Sequence, residues 1–203
     1  MPPIILLNGP PRCGKDTSAR MLQSLIPGAW DFKLSKRLKE MTHGLYGIGA
    51  NVEGRWHWPA PHDWFEKRKD EPLAEFCGLT PRQAYIHVSE KYLKPVHGEG
   101  ILGTWLAADI AENPPAVATV SDSGFRAEAE RLVAAFPGQV GLIRLVPVDE
   151  HSRICPTWAG DSRGYIDLSD LGVPLAVVQS PLGDLPALRR NLAAALAEVM
   201  PPG

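Results

Sequence analysis

A short segment near the N-terminus combines glycine, lysine and an acid in a spacing that suits phosphate binding. Residues 9–17 read Gly-Pro-Pro-Arg-Cys-Gly-Lys-Asp-Thr and follow the apolar run Ile4 to Leu7. Such a loop lets its backbone N–H groups and the N-terminus of the next helix surround a polyphosphate. In the pattern G-x-x-x-x-G-K-[ST], the lysine meets the terminal phosphates and the hydroxyl holds Mg²⁺. We therefore expect ATP or GTP to bind at Gly9, Arg12, Cys13, Gly14, Lys15, Asp16 and Thr17.

Asp16 stands where the common pattern has a hydroxyl, and Thr17 follows it. Its carboxylate could hold Mg²⁺ through water, act as general base toward an acceptor hydroxyl, or simply cap the helix. A negative charge beside a polyphosphate is unfavourable unless a metal or the chemistry uses it. We therefore expect Lys15 and Asp16 to be catalytic, and Thr17 or Asp16 to face Mg²⁺.

A second acid follows another apolar run. The segment 116–120 is typical of a buried strand, and Asp122 lies two residues beyond it. Ligands of parallel sheets bind beyond the carboxyl ends of the strands, so Asp122 is a candidate for the metal shell or the acceptor. Arg126, one helical turn later, is a candidate phosphate contact. The structural alternative is that Asp122 or Ser123 caps the helix expected from Phe125.

Two further groups of cations could contact the reactants. Lys33 and Lys36 lie at the start of an expected helix, where positive charge opposes the helix dipole, so a ligand is a better explanation for them than helix stability. A solvated basic face is the alternative. Arg153 and Arg163 lie in a polar loop after the strand expected at 140–148, and such a loop can close arginines over a transferred phosphoryl group or be plain surface.

Alternating apolar runs and helical patterns predict an α/β fold. We expect three layers around a parallel sheet of about five strands, flanked by helices. Strands are expected at 4–7, 116–120, 140–148 and 175–178, with a weaker candidate at 29–32. Helices are expected at about 15–25, 35–45, 81–93, 103–112, 125–135 and 185–200. The length of 203 residues suits a single domain.

The segment 47–78 breaks this alternation. It contains Trp56, Trp58 and Trp64 among basic residues, and also several acids. Long segments of this kind inside a domain are usually functional lids or clefts. Tryptophans among cations could stack unpaired bases and contact phosphates, although packing is the plainer role for them.

Composition restricts the partners and the compartment. The net charge is −2, so attraction to nucleic acid or to an acidic membrane surface must come from local patches. No apolar run approaches the roughly 20 residues of a membrane helix. The three cysteines have no paired spacing and the N-terminus has no signal-like pattern, so we expect a reduced, cytoplasmic protein without membrane partners. The histidines lack metal-site spacing, which argues against zinc, and the oligomeric state stays open.

With these residues in view, the chain resembles the phage deoxynucleoside monophosphate kinases and their relatives. The resemblance spans nearly the whole chain. It implies one P-loop kinase domain over 1–203 that uses ATP and Mg²⁺, with 47–78 as an acceptor-side insertion and 149–170 as a lid-like loop. The matching motifs are Gly14-Lys15-Asp16-Thr17, Phe32 followed by Leu38-Lys39, Thr80-Pro81-Arg82-Gln83, Val120-Ser121-Asp122 with Glu128 and Glu130, and Asp161-Ser162-Arg163.

Within this group, the segment from Arg82 to Gly98 looks like the branch that phosphorylates 5-hydroxymethyluracil in phage DNA, a step toward hypermodified thymine. Arg163 points the same way, since monophosphate kinases of the group tend to have histidine there. The resemblance implies that acceptor binding involves Lys33, Lys36, Arg82, Gln83, His87 and Glu90.

The two candidate acceptor groups, a hydroxymethyl group and a phosphate, differ in acidity. A hydroxymethyl group is a weak acid that benefits from a base such as Asp16, whereas a phosphate acceptor is already ionised. We therefore expect ATP-dependent phosphorylation of 5-hydroxymethyluracil in DNA. A kinase for free deoxynucleoside monophosphates is the close alternative. A nucleotide-binding switch or NTPase is a third, disfavoured because no clear second acid follows the strand acid.

Overall fold

A computed structural model describes residues 1–48, 50–52, 55–57, 62–155 and 164–200. The chain divides into two compact units, one formed by Met1–Leu34 with Gly103–Gly203 and the other by Ser35–Leu102. The strands are β1 (Ile4–Asn8), β2 (Ala29–Phe32), β3 (Ala50–Val52), β4 (Arg55–His57), β5 (Val117–Val120), β6 (Val140–Val148) and β7 (Leu175–Pro181). The α-helices are α1 (Lys15–Leu25), α2 (Ser35–Leu45), α3 (His62–Lys67), α4 (Pro81–Val88), α5 (Lys94–His97), α6 (Ile101–Glu112), α7 (Arg126–Ala135) and α8 (Leu185–Val199).

The first unit is built on a parallel sheet with the strand order β2-β5-β1-β6-β7. β1 lies at its centre, and Ile4 pairs with Ala118 on one side and Val140 on the other. Every residue of β1 is buried, as expected for a strand that is covered on both faces. The predicted α/β class, with a parallel sheet of about five strands flanked by helices, is confirmed.

Two helices bury their apolar faces against this sheet. α1 contributes Ala19 and Leu22, and α8 contributes Leu188 and Leu192, to one core shared with β1, β6 and β7. The spacing of three and four residues places each pair on one helix face. α1 is thus packed against the sheet directly after the loop that follows β1.

The second unit has its own aromatic core. The buried rings of Phe65 and Phe76 pack in a tilted edge arrangement with centroids 5.5 Å apart. His43 is also buried there, and its Nε2 lies 2.9 Å from the Tyr85 hydroxyl. Trp64 packs edge-on against Phe65 and lies under the guanidinium of Arg68, so its ring belongs to the packing of this unit.

The segment 47–78 contains more regular structure than the sequence suggested. β3 and β4 form an antiparallel hairpin, α3 follows, and Ala74–Phe76 forms a short 3₁₀ helix. Trp58 lies outside the described residues. The helix expected over 81–93 is not α-helical throughout. α4 ends at Val88, a π-helical turn covers Ser89–Leu93, and α5 follows it.

Elsewhere the predicted elements match the observed bounds closely. β2, α1 and α2 have the predicted limits, while β7 runs on to Pro181 and α6 begins at Ile101. Among the described residues, no helix combines the length and apolar character needed to cross a membrane.

Candidate phosphate-binding site

The loop between β1 and α1 has the geometry of a phosphate cradle. Gly14 takes a left-handed φ of 93° and is the N-cap of α1, with no side chain capping the helix. At Gly9, a Cβ atom would lie 2.6 Å from Sγ of Cys13 and 2.8 Å from the carbonyl oxygen of Leu145. Only glycine therefore fits at the start of the loop, and a residue free to adopt positive φ is favoured at its end. Arg12 is exposed on the loop and also has a positive φ, of 64°.

Lys15 folds back over this loop. Its ammonium donates hydrogen bonds to the carbonyl oxygens of Gly9, at 2.6 Å, and Pro10, at 2.7 Å. The positive charge thus lies at the loop itself, beside the N-terminus of α1. A strand, a glycine loop, a lysine and a helix in this arrangement define a P-loop, which suits the phosphates of a nucleotide.

Cys13 lies inside the loop as a buried, neutral thiol. Burial raises its pKa, although the neighbouring Lys15 opposes that effect. Its carbonyl oxygen accepts a hydrogen bond of 2.8 Å from the Ser180 hydroxyl at the end of β7. The residue fills space and joins the loop to the sheet.

Asp16 lies in the first turn of α1 and does not cap the helix, since Gly14 has that position. Its carboxylate accepts a hydrogen bond from the ammonium of Lys33. Loss of water around the carboxylate would by itself raise the pKa of Asp16, but the hydrogen bond and charge of Lys33 outweigh that effect and lower it. Asp16 is therefore ionised at neutral pH, and its carboxylate is able to accept a proton or to bind a metal ion.

Lys33 follows β2 and connects Asp16 with two residues at the strand ends. Its ammonium also donates to the Ser121 hydroxyl and lies 3.2 Å from Oδ2 of Asp31. The Ser121 hydroxyl donates in turn to Asp31 Oδ2 over 2.9 Å, and Thr119 Oγ1 lies 3.3 Å from Asp31 Oδ1. Burial by itself lowers the pKa of Lys33, but its carboxylate neighbours leave it raised, so the lysine remains charged.

Asp122 contacts the backbone that follows β2. Its Oδ1 accepts a hydrogen bond of 2.8 Å from the Leu34 N–H. α7 begins at Arg126, and its N-cap residue Phe125 makes no side-chain capping bond. Neither Asp122 nor Ser123 therefore occupies the N-cap position of α7. The Asp122 side chain lies near Asp31 and Lys33 at the carboxyl ends of β2 and β5.

The predicted arginines bind carboxylates of the same unit. Arg126 pairs with Glu130 at 2.7 Å and Asp170 at 2.6 Å, and it also donates to the carbonyl oxygen of Asp167. Arg153 pairs with Asp149 at 2.8 Å. Neither guanidinium contacts the phosphate loop. To bind a phosphate there, Arg126 and Arg153 would have to leave their carboxylate partners. Arg163, with Asp161 and Ser162, lies outside the described residues.

Five of the six residues predicted to bind the acceptor lie on helices of the second unit, whereas Lys33 belongs to the first. Gln83 completes a capping box with Thr80 at the start of α4, and Arg82 pairs with Asp70 at 2.7 Å. The other three lie at or near the surface: Lys36 is exposed in the first turn of α2, His87 contacts the Tyr92 ring at 5.7 Å, and Glu90 pairs with Lys94 at 2.5 Å.

The described residues contain no group of three His, Cys, Asp or Glu side chains that could hold a metal ion. Mg²⁺ bound with a nucleotide takes several of its ligands from phosphates and water, and needs only one or two from protein. Asp16 and Thr17 at the start of α1 fit that requirement.

Asn8 anchors the start of the phosphate loop, a role that the sequence did not reveal. It is completely buried at the end of β1, directly before Gly9. Its amide nitrogen donates to the carbonyl oxygens of Ser123, at 3.0 Å, and Gly164, at 3.2 Å, and its oxygen accepts from the Ile166 N–H at 3.1 Å. One side chain thus fixes the start of the phosphate loop to two other loops. A polar residue at the end of an apolar strand was the only available signal.

We expect Asn8→Leu to lower the free energy of unfolding by about 3 kcal/mol, because the buried backbone groups of Ser123 and Ile166 and the more exposed carbonyl of Gly164 lose their partner. Urea denaturation of both variants measures the change. Asn191→Leu is the control, since it removes a single bond from Asn191 to the Gln179 carbonyl oxygen near the surface and should cost less than about 1 kcal/mol. Equal losses for the two variants would refute the anchoring role of Asn8.

Comparison with known proteins gives remote structural likenesses. No family model matches the chain, and no curated protein is significantly similar in sequence. A gluconokinase from Sinorhizobium meliloti 1021 is 12% identical, with a TM-score of 0.45 over 97% of this chain and 92% of that chain. The tunicamycin resistance protein of Deinococcus radiodurans is 14% identical, with a TM-score of 0.42 over 100% of both chains.

Proposed function

We propose that this protein is an ATP-dependent kinase that phosphorylates a hydroxyl group, namely the 5-hydroxymethyl group of 5-hydroxymethyluracil in DNA. The observation that carries the proposal is the ionised carboxylate of Asp16, in the first turn of α1 and within the phosphate loop. An acid in that position is unfavourable for simple phosphate binding. It is useful when the acceptor has a proton to lose.

The loop between β1 and α1 is the proposed binding site of ATP, the phosphoryl donor. The backbone N–H groups of residues 12–17 and the ammonium of Lys15 would hold the phosphates of ATP. Gly9 permits the close packing of the loop against Cys13 and Leu145, and Gly14 permits its positive φ. Thr17 would hold Mg²⁺ through its hydroxyl, and the Asp16 carboxylate would accept the proton of the acceptor; Asp16 as a metal ligand is the alternative role. When bound, the ion neutralises charge on the phosphates.

The acceptor hydroxyl reacts beside Asp16. Its oxygen forms the new bond to the γ-phosphorus as the bond from that phosphorus to the β,γ-bridging oxygen breaks, and its proton passes to the Asp16 carboxylate. Lys33 holds the carboxylate in place, and Lys15 stabilises negative charge on the moving phosphoryl group. ADP and a phosphorylated hydroxymethyl group are the products.

Two arguments support a hydroxyl acceptor in DNA. The reacting group of a nucleoside monophosphate would reach Asp16 as an anion, whereas a reacting hydroxymethyl group is uncharged. The sequence from Arg82 to Gly98 also resembles that of kinases that act on hydroxymethyluracil in DNA.

The experiment offers labelled ATP together with duplex DNA that contains 5-hydroxymethyluracil, with free deoxynucleoside monophosphates, or with no acceptor. We expect label in the DNA. Label only in free nucleoside diphosphates would favour the monophosphate kinase alternative, and acceptor-independent release of phosphate would favour an NTPase. Binding to DNA that weakens steeply with salt is expected as well.

A further inference from the structure

Within the part of the chain that the structure describes, the polar partners of Lys33 all belong to the first unit. Its ammonium donates to Asp16 and Ser121 and lies 3.2 Å from Asp31. An ammonium has three N–H donors, and these three oxygen partners account for them. The Lys33 side chain is about one-third exposed, whereas that of Asp31 is mostly buried.

The position of Lys33 in the chain explains this arrangement. Asp31 and Lys33 are two residues apart at the end of β2, a spacing that puts side chains on the same side of a strand. β5 runs parallel beside β2, and Asp31 pairs with Thr119, so that Ser121 lies level with Lys33. The lysine thus extends from the strand ends toward the first turn of α1.

A carboxylate in a phosphate loop repels the ligand that the loop is built to bind. Here two carboxylates, Asp16 and Asp31, lie against one ammonium. The other charged groups that act on Asp16 are Lys15 and Arg20. Without Lys33, the nearest partner of Asp16 would be lost and the local charge would become more negative by one unit.

We propose that Lys33 is a positioning residue that neutralises and holds Asp16, and that this allows a nucleotide polyphosphate to bind beside an acid. The inference rests on the proposed nucleotide-binding function. It assigns Lys33 to the donor side of the reaction, in place of the acceptor contact expected from the sequence. Asp31 and Ser121 hold the ammonium from the other side.

A double-mutant cycle on ATP binding tests this role without depending on catalysis. The affinity for ATP is measured by calorimetric titration, with Mg²⁺ and with EDTA, for the wild type, Lys33→Met, Asp16→Asn and the double variant. In EDTA, Lys33→Met should weaken binding about tenfold, because Asp16 is left without its partner. The same change on the Asp16→Asn background should alter the affinity by less than about twofold.

Two controls separate charge from folding. Lys33→Arg keeps the charge and should bind ATP within about threefold of the wild type, and thermal unfolding shows whether each variant is folded. Arg190→Met removes one positive charge from the exposed surface of α8 and should leave the affinity unchanged.

The outcomes are distinct. If the wild type fails to bind ATP with Mg²⁺, the proposed function itself is wrong. If the wild type binds but folded Lys33→Met binds equally well in EDTA, Lys33 does not offset Asp16. If Lys33→Met weakens binding to the same extent on both backgrounds, the lysine acts independently of Asp16 and the inference is overturned. Should Lys33→Met be unfolded, a loss of about tenfold for Lys33→Arg would overturn it as well.

Discussion

Asp16→Asn is expected to reduce phosphoryl transfer by about 10²–10⁴-fold while ATP still binds. Asparagine has nearly the same shape as aspartate and can still accept a hydrogen bond from Lys33, but it cannot accept the proton of the acceptor hydroxyl. Steady-state kinetics with hydroxymethyluracil DNA and calorimetric titration with ATP measure the two effects. A turnover number near that of the wild type would exclude Asp16 as the base.

The matched control is Asp184→Asn. Asp184 caps α8 by accepting a hydrogen bond of 2.9 Å from the Ala187 N–H, and asparagine caps helices equally well. Its activity should equal that of the wild type. A titration with Mg²⁺ then separates the two roles of Asp16. If Asp16 is the base, the Asp16→Asn variant needs the same Mg²⁺ concentration as the wild type; if Asp16 is a metal ligand, the variant needs a higher one.

Lys15→Met should reduce transfer by about 10³-fold and also weaken ATP binding, because it removes the cation from the phosphate cradle. The Lys15 ammonium donates hydrogen bonds to the carbonyl oxygens of Gly9 and Pro10. These bonds lie near the surface, so the free energy of unfolding should fall by less than about 1 kcal/mol. Single-turnover kinetics, ATP titration and urea denaturation measure the three quantities.

Arg190→Met is the control for the loss of one positive charge, and it should retain wild-type transfer. Loss of transfer in both variants would point to a general charge effect. Full activity of folded Lys15→Met would contradict the assignment of the loop as the donor site.

The sheet of the first unit could be predicted because its strands are buried on both faces and therefore read as continuous apolar runs. Ile4 to Leu7 and the run from Val140 to Val148 are of this kind. The loop could be predicted because its glycines and lysine have fixed chemical roles. The same reasoning placed Asp16 and Asp122 beyond the ends of buried strands.

The contacts of these residues could not be predicted in the same way. The anchoring role of Asn8 depends on Gly164 and Ile166, which are more than 150 residues away in the chain. The pairing of Lys33 with Asp16 and Ser121 likewise depends on how β2 lies beside β5. Local sequence shows which residues carry charge, but the register of the strands decides which of them meet.

In the second unit, the local signals were ambiguous. The hairpin of β3 and β4 has strands of three residues each, too short to show an alternating pattern. The π-helical turn at Ser89–Leu93 ends two residues before Pro95, whose ring lacks an N–H. Its sequence pattern resembles that of an ordinary α-helix. Burial of Phe76 in the aromatic core is a tertiary effect and leaves no local pattern.

The most direct measurement compares two duplexes that differ only in one target base, 5-hydroxymethyluracil or thymine. Each is incubated with the protein, Mg²⁺ and labelled ATP, then digested to nucleotides by nucleases without a phosphatase, and analysed by mass spectrometry. We predict a hydroxymethyl nucleotide with a second, labelled phosphate from the first duplex and no labelled nucleotide from the second. The absence of any such doubly phosphorylated nucleotide from the hydroxymethyluracil duplex, with the label found instead in free nucleotides or inorganic phosphate, would contradict the proposed function.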